Sequence, residues 1–341
     1  MLINVHLSKD VLKETSHAQA HFQAGALQDE IHRLLHRHGV LNFLSRDEAV
    51  ALIDSLKTSS LQPKELKAWQ ELLVYLKSKN RLAAADPALL VGGVEGAQST
   101  KDLSALQPLS PLVSIVGSEV YERLFPGDEV GVTKVGGTEV VATGAISGST
   151  QVAQLQDLLD KGVFLRGTSR DEVFNALFAP LARVSQEIAV FDRYLYASLG
   201  DGGGEEHLGW LIRRLDEVAR PGAIIKLFGA RGIDGQWGYR VPRDGWEAKR
   251  LLEDNLRPNL QRAAQVEAWL APSTRDMHHD RHIRFFAGGA VELPSGFDRF
   301  AAPRLQDNMG FTYRHVPESL RDLQVRERQV SEDRRSVSVR L

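Results

Sequence analysis

The chain of 341 residues has no cysteine, no long apolar run and almost no net charge. Without thiols there are no disulfides, thiolate zinc sites, iron–sulfur clusters or cysteine nucleophiles. No stretch approaches the roughly 18 consecutive apolar residues of a spanning helix, and residues 1–10 lack the basic start and apolar run of a secretory signal. We therefore expect a cytoplasmic protein with no transmembrane segment, whose chemistry relies on oxygen, imidazole or guanidinium groups.

The formal net charge of −2 conceals an asymmetry between the two parts of the chain. Residues 1–160 carry 14 Lys and Arg, nine of them Lys, against 19 Asp and Glu. Residues 161–341 carry 28 against 25, and 25 of these cations are Arg. A guanidinium donates paired hydrogen bonds to phosphate or carboxylate, which an ammonium cannot do. Two alternative explanations are open for the arginines of the second part: they bind phosphate, or they reflect a GC-rich coding sequence.

Residues 1–82 predict a helical N-terminal unit after one short strand, because apolar residues recur there with helical spacing. Six of the eleven histidines lie in this unit: His6, His17, His21, His32, His36 and His38. His17/His21 and His32/His36 have the i, i+4 spacing that a metal ion uses. No acidic ligand lies at a matching offset, so we expect solvated helix-face histidines and no metal site.

Residues 83–160 predict a linker or small α/β region of unknown fold. The segment up to about residue 110 is rich in Ala, Gly, Pro and Ser, and short β-branched strands are expected at 112–116, 130–135 and 140–145. The glycine-rich segment 143–150 has neither the lysine of a P-loop nor the G-x-G-x-x-G spacing of a dinucleotide site. The segment is instead explained as the start of a following helix, which Ser149 and Thr150 cap.

From residue 162 onward, strands and helices alternate, which predicts an α/β sandwich with a mixed sheet. Strands are expected at 163–165, 188–191, 223–228, 266–270, 281–286, 290–293 and 310–315, and helices at 169–182, 205–220 and 246–255. Residues 318–341 are charged and rich in Ser and Arg. We expect them to form a C-terminal tail that is mobile or docked on a partner.

Polar residues at strand ends mark the candidate site. Asp192, Arg193 and Tyr194 directly follow an apolar strand, where open α/β sheets place ligands. Asp192 either orients a basic group there or caps the backbone. Alternation in the segment 278–285 places His279 and Arg281 on one face of a strand, and Asp280, His282 and Arg284 on the other. Arg193, Arg231 and Arg284 are candidates for a basic groove, or are solvated or salt-bridged residues.

Four tryptophans of the second part are predicted to pack in the core or at its edges, because no pattern of interleaved aromatic and basic residues recurs. They are Trp210, Trp237, Trp246 and Trp269.

Three segments together resemble phospholipase D-like domains. They are Phe-Asp-Arg-Tyr-Leu-Tyr at 191–196, His-Asp-Arg-His-Ile-Arg-Phe at 279–285 and Ser-Gly-Phe-Asp-Arg-Phe at 295–300. The pattern is most similar to the variant at the C-terminus of MIT-domain proteins, and it covers residues 162–317. The resemblance implies a phospholipase D-like α/β fold.

In phospholipase D-like enzymes, one histidine attacks phosphorus, a second protonates the leaving oxygen, and a lysine binds the phosphate, with no metal or other cofactor. The resemblance assigns the nucleophile to His279 and phosphate binding to Arg281, with Ser295 and Asp298 in the turn that lines the pocket. Because the chain has one such motif, the resemblance implies a homodimer whose two copies of His279 face each other.

Two departures from the family pattern leave three hypotheses open. Phe286 replaces a downstream aspartate, and Asp298 replaces an asparagine. The first hypothesis is a metal-independent phosphodiesterase, with a nuclease favoured, in a prokaryotic defence system. The second is a catalytically degenerate module that binds nucleic acid, anionic lipid headgroups or a protein. The third is a structural role for His279. Residues 1–160 are assigned to regulation or to recognition of a protein partner.

Overall fold

The computed structural model describes residues 1–8, 10–12, 21–43, 46–59, 61–84, 112–196, 208–231, 244–256, 260–263 and 265–341. The chain divides into two compact units, residues 2–157 and residues 158–341 with Met1. Among the described residues, no helix has the length and apolar character needed to cross a membrane.

The first unit is built around a six-stranded sheet. Its strands are β1 (Ile3–Leu7), β2 (Gly39–Phe43), β3 (Leu82–Ala84), β4 (Leu112–Val116), β5 (Val132–Val135) and β6 (Thr138–Ala142). Its helices are α1 (His21–His38), α2 (Arg46–Thr58), α3 (Pro63–Ser78), α4 (Ser118–Leu124) and α5 (Thr150–Lys161), and α5 crosses the division between the units.

The strand order of this sheet is β3-β2-β1-β4-β6-β5, in which only β5 is antiparallel to its neighbour. The predicted division at residue 82 therefore does not match the structure, because β1 pairs with β2 on one side and with β4 on the other. β2 directly follows a helix and β3 begins shortly after one, and their few residues carry no alternating pattern that would separate them from a helix end. The N-terminal region is one α/β unit rather than a helical unit and a linker.

The second unit contains a seven-stranded mixed sheet and a two-stranded sheet. Its strands are β7 (Val163–Phe164), β8 (Glu187–Asp192), β9 (Ile224–Ala230), β10 (Gln265–Ala271), β11 (Arg281–Phe285), β12 (Gly289–Glu292), β13 (Met309–Gly310), β14 (Thr312–Arg314) and β15 (Val337–Arg340). Its helices are α6 (Arg170–Leu177), α7 (Ala179–Ala182), α8 (Leu208–Val218), α9 (Gly245–Asn255) and α10 (Pro317–Glu332). The predicted mixed α/β class is confirmed for this unit.

The order of the large sheet is β14-β12-β11-β8-β9-β10-β15. Strands β8, β9 and β10 are parallel, whereas the strands outside them run antiparallel to their neighbours. The carboxyl ends of β8, β9 and β10 and the amino ends of β11 and β15 therefore lie at one edge of the sheet, called here the carboxyl edge. Most of the predicted strands and helices of residues 162–317 agree with this arrangement to within a few residues. The exceptions are the predicted helix 169–182, which is the two helices α6 and α7, and the predicted strand 310–315, which is the two strands β13 and β14 of different sheets.

The predicted C-terminal tail is instead part of the second unit. α10 buries Leu323 and Val330, and Val330 belongs to the core formed by β8, β9 and β10. β15 closes the sheet by pairing with β10, from Leu270 opposite Val337 to Glu267 opposite Arg340. Charge dominates the composition of this segment, but one apolar stripe and one buried strand face are enough to order it.

Candidate functional site

The carboxyl edge brings together the side chains at the end of β8 and the start of β11. Asp192 and Arg281 are directly paired in the register of these antiparallel strands, so their side chains point to the same face. The Arg281 Nε atom lies 3.6 Å from Asp192 Oδ2. The predicted alternation is confirmed, because Asp280, His282 and Arg284 all contact α10 on the opposite face.

Asp192 is almost completely buried, with 4% of its surface exposed. Its Oδ1 atom accepts a hydrogen bond of 2.9 Å from the backbone N–H of Tyr194, which fixes the turn after β8. Burial raises the pKa of Asp192 to about 6, and the charge of Asp298 adds to this increase. The Tyr194 N–H and the guanidinium groups of Arg281 and Arg193 act in the opposite direction.

The Arg281 guanidinium is held by contacts on several sides. Its Nη1 atom donates a hydrogen bond of 3.0 Å to the Pro294 carbonyl, and its Cζ atom lies 5.8 Å from the centre of the Tyr194 ring. Gly296 lies against the same group: an added Cβ would be 3.0 Å from Nε and 3.2 Å from Cζ. The turn that carries Ser295 is therefore shaped around Arg281, which is 16% exposed.

Tyr194 connects the remaining members of the site. Its ring centre lies 6.4 Å from that of His279 in an edge-on arrangement, and the Arg193 Cζ atom lies 4.9 Å from it. His279 precedes β11 and is exposed to solvent. The structure thus places an accessible imidazole, two guanidinium groups and a buried carboxyl around one tyrosine ring. We call these residues the edge cluster: Asp192, Arg193, Tyr194, His279, Arg281 and the turn at 294–298.

The other predicted site residues lie elsewhere. Arg231 directly follows β9 at the carboxyl edge, and its Nη2 atom donates to the Arg335 carbonyl at 3.3 Å. Arg284 is separate from the edge cluster. Its guanidinium is buried and bonds to Glu327 at 2.6 Å and to Glu187 at 3.0 Å, so its contacts are structural and it does not line the basic groove.

Glu327 of α10 is the main partner that the sequence did not indicate. It accepts hydrogen bonds from Arg284 Nε at 2.8 Å and contacts His282 Nε2 at 3.2 Å. Burial acts to raise the pKa of Glu327, but these two neighbours hold it below its ordinary value. The ring of His282 also stacks on Phe191, with centres 4.9 Å apart. This buried network fixes β11 and α10 to each other, and so supports Arg281 from the opposite face of the sheet.

Three of the first unit's histidines, His6, His32 and His36, have described contacts. His6 is buried in β1, where Nδ1 lies 2.9 Å from Ser114 Oγ and Nε2 lies 2.7 Å from Glu48 Oε1. His32 packs on Trp69 and is partly buried, so the prediction of a solvated helix-face ring is wrong for His32, whereas His36 stacks on Tyr75 and stays exposed. His17 and the side chain of His21 lie outside the described residues. Within the described ranges, no three His, Asp or Glu side chains are grouped as metal ligands.

Neither the scan against protein-family models nor the search of curated proteins finds a match to this chain.

Proposed function

We propose that the second unit is a metal-independent phosphodiesterase, with nucleic acid as its favoured substrate and the edge cluster as its site. The observation that carries the proposal is the convergence of the exposed His279 ring and the Arg281 guanidinium on Tyr194, beside the buried Asp192. An accessible imidazole is a nucleophile, and a guanidinium binds the non-bridging oxygens of a phosphate. The phospholipase D-like motif at 279–285 supports the same assignment of roles.

In the proposed reaction, an imidazole nitrogen of His279 attacks phosphorus and forms an N–P bond. The P–O bond to the leaving group breaks, and its electron pair stays on the leaving oxygen. A second copy of His279, supplied by another chain in a homodimer, gives that oxygen a proton. The same imidazole then accepts a proton from water, whose oxygen attacks phosphorus and releases His279.

Arg281 binds phosphate in this proposal, and Asp192 orients it. The register of β8 and β11 fixes the two side chains relative to each other, and Gly296 allows the guanidinium to lie flat against the turn. Positioning of this kind removes much of the entropic cost of bringing the phosphate to His279. The first unit supplies regulation or partner recognition, and defence against foreign nucleic acid is a cellular setting that suits a nuclease of this type.

The experiment that tests the proposal is cleavage in excess EDTA by the full chain. The substrates are short single- and double-stranded DNA and RNA, and the small diester bis(4-nitrophenyl) phosphate. We expect turnover that His279→Ala abolishes and that His278→Ala, a change at the neighbouring exposed histidine, leaves intact. We also expect a bell-shaped pH dependence of kcat/KM whose two limbs report imidazole groups. Loss of turnover in EDTA, or full activity of His279→Ala, overturns the mechanism.

A second candidate function is binding of a phosphorylated ligand without chemistry. One observation favours it: the chain carries one copy of the motif at 279–285, so a single chain supplies no second motif histidine to protonate a leaving oxygen. This candidate predicts binding to nucleic acid, anionic lipid headgroups or a phosphorylated protein that weakens with added salt and with Arg281→Ala. No substrate is turned over in that case. Binding that does not respond to salt would contradict it.

A further inference from the structure

Trp246 is the most exposed aromatic side chain of the described part of the second unit, with 68% of its surface accessible. The prediction that it packs in the core or at an edge is therefore wrong. By contrast, Trp210 is buried and Trp269 stacks on Phe228, whereas Trp237 lies outside the described residues. The position of Trp246 is fixed by its helix, since Asp244 caps α9 by accepting from the backbone N–H groups of Trp246 and Glu247. The Trp246 indole is therefore exposed to solvent in the first turn of α9, where a ligand can contact its ring.

The topology places Trp246 at the carboxyl edge, where the edge cluster also lies. α9 follows the parallel strand β9 and precedes β10, so its first turn begins at that edge. Gly245 confirms this position, because a Cβ added there would lie 2.7 Å from Val337 Cγ1. Val337 starts β15 opposite Leu270, near the carboxyl end of β10.

Several arginines lie at the carboxyl edge, between the edge cluster and Trp246. Arg231 follows β9 and reaches the Arg335 carbonyl, and Arg275, Arg334 and Arg335 are exposed around the ends of β10 and β15. Asp276 and Asp333 bind the Arg335 guanidinium, which partly neutralises this group. On α9 itself, the Arg250 Cζ atom lies 5.8 Å from the Trp246 ring centre. We call these five residues, Arg231, Arg250, Arg275, Arg334 and Arg335, the arginine rim.

We infer that the arginine rim and Trp246 bind single-stranded nucleic acid that continues outward from the edge cluster. The inference rests on the proposed function, because the strand would start at the phosphate held by Arg281. Four strand intervals separate β11, which carries Arg281, from β15. At about 4.8 Å each they span roughly 19 Å, which is about five to six nucleotides at the ~3.4 Å rise of a stacked strand.

The chemistry of the rim favours a single strand over a duplex. Guanidinium groups bind phosphates of either form, but an indole face can stack only on a base that is not already stacked on both sides. Stacking on an aromatic ring tolerates any base, so the rim would add affinity without sequence preference.

The test measures binding of a fluorescently labelled 12-nucleotide single strand to the full chain in EDTA. It is done with the wild type and, so that the strand is not cleaved, with the His279→Ala variant as a second background. We expect Trp246→Ala to weaken binding by roughly ten- to hundredfold, in line with the ~1–3 kcal/mol of one stacked base. Trp246→Phe should retain most of the affinity. Leu165→Ala removes another exposed apolar side chain of the same unit, 64% accessible, and serves as the matched control with unchanged binding.

Intrinsic fluorescence supplies a second readout. Binding should quench tryptophan emission in the wild type, and Trp246→Phe should remove that quenching. A Trp246→Ala variant that binds as tightly as the wild type, quenching that persists in Trp246→Phe, or no binding of the strand by the wild type would each overturn the inference. So would tighter binding of a duplex, or Trp246-dependent binding to vesicles of anionic lipid in place of nucleic acid.

These outcomes are separable from failure of the proposed chemistry. Hydrolysis of bis(4-nitrophenyl) phosphate reports the edge cluster, because this small diester does not extend to the rim. If the diester is not hydrolysed but strand binding depends on Trp246, the phosphodiesterase fails and the rim stands. If the diester is hydrolysed and Trp246→Ala has no effect on strand binding, the phosphodiesterase stands and the inference about the rim fails.

Discussion

Gly296 is the residue on which the geometry of Arg281 most directly depends. Its φ of +81° is in the left-handed region, and its missing Cβ leaves room for the Arg281 guanidinium. Gly167 has a similar φ of +89° but nothing within 4 Å of an added Cβ. Both glycines therefore have a positive φ, and only Gly296 also contacts the edge cluster.

We predict that Gly296→Ala and Gly167→Ala both lower the free energy of unfolding by about 1–2 kcal/mol, because alanine is strained at positive φ. Only Gly296→Ala should also weaken binding of the labelled single strand, by tenfold or more, because its methyl group displaces Arg281. Thermal unfolding and the binding assay measure the two effects. Equal loss of binding in the two variants would show that strain in the unit, and not contact with Arg281, is responsible.

Asp192 gives the second unit a pH dependence with a definite sign. Its pKa is raised to about 6 in the folded protein, against ~3.9 in an unfolded chain, so the folded state binds the proton more tightly. The stability from this group is fully present below pH ~4 and is lost as the pH rises through about 6. Asp192→Asn stays neutral and should not show this loss.

We therefore predict that the free energy of unfolding of the wild type falls relative to Asp192→Asn between pH 4 and pH 7, by about 2–3 kcal/mol. Urea unfolding at a series of pH values measures the difference. Asp298→Asn should move the transition to lower pH, because the Asp298 charge contributes to the raised pKa of Asp192. Parallel pH profiles for the wild type and Asp192→Asn would contradict the prediction.

At the scale of elements, α10 holds the sheet through one buried carboxylate. Glu327 bonds to His282 and Arg284 of β11, and Arg284 also reaches Glu187 of β8. Near the start of the same helix, Glu318 forms an ion pair with Arg321 in solvent. The helix thus carries a buried ionic network at Glu327 and, at Glu318, an exposed ion pair that involves the same type of carboxylate.

We predict that Glu327→Gln destabilises the packing of α10 on β11 by about 3–5 kcal/mol, since it leaves a buried guanidinium without its main counter-charge. Glu318→Gln should cost less than about 1 kcal/mol, because solvent screens that pair. Hydrogen exchange of the α10 and β11 amides in the full chain measures both. Equal protection of these amides in the two variants would mean that apolar packing alone holds the helix.

At the scale of the whole molecule, the chain contains two α/β units with different sheets and separate cores. The core of the first unit surrounds β1, β2 and β4 and is closed by residues such as Trp69. The second sheet carries the edge cluster and the arginine rim. The excess of Arg over Lys in residues 161–341 thus has two structural uses: some arginines lie exposed at the carboxyl edge, and others, such as Arg284, form buried ion pairs.

Much of the second unit could be predicted because its signals are local. Alternation alone placed Arg281 opposite His282 and Arg284, and the helix predicted to begin at residue 169 begins at Arg170, with Ser169 capping α6 by accepting from the Glu172 N–H. The strands β2 and β3 and the helix α10 could not be predicted in the same way. Their burial depends on contacts with segments that are distant in the chain, and short sequence patterns do not encode such contacts.

The sequence by itself determined most of the alternation of helices and strands between residues 162 and 317, the faces of β11 and the motif at 279–285, because each depends on neighbouring residues. Only the tertiary structure decided which charges pair and which aromatic rings reach solvent. It buried Arg284 against Glu327, 43 positions away, exposed Trp246, and joined residues 2–157 in one unit. The reason is physical: burial and ion pairing are properties of contacts between distant segments, which form only when the chain is folded.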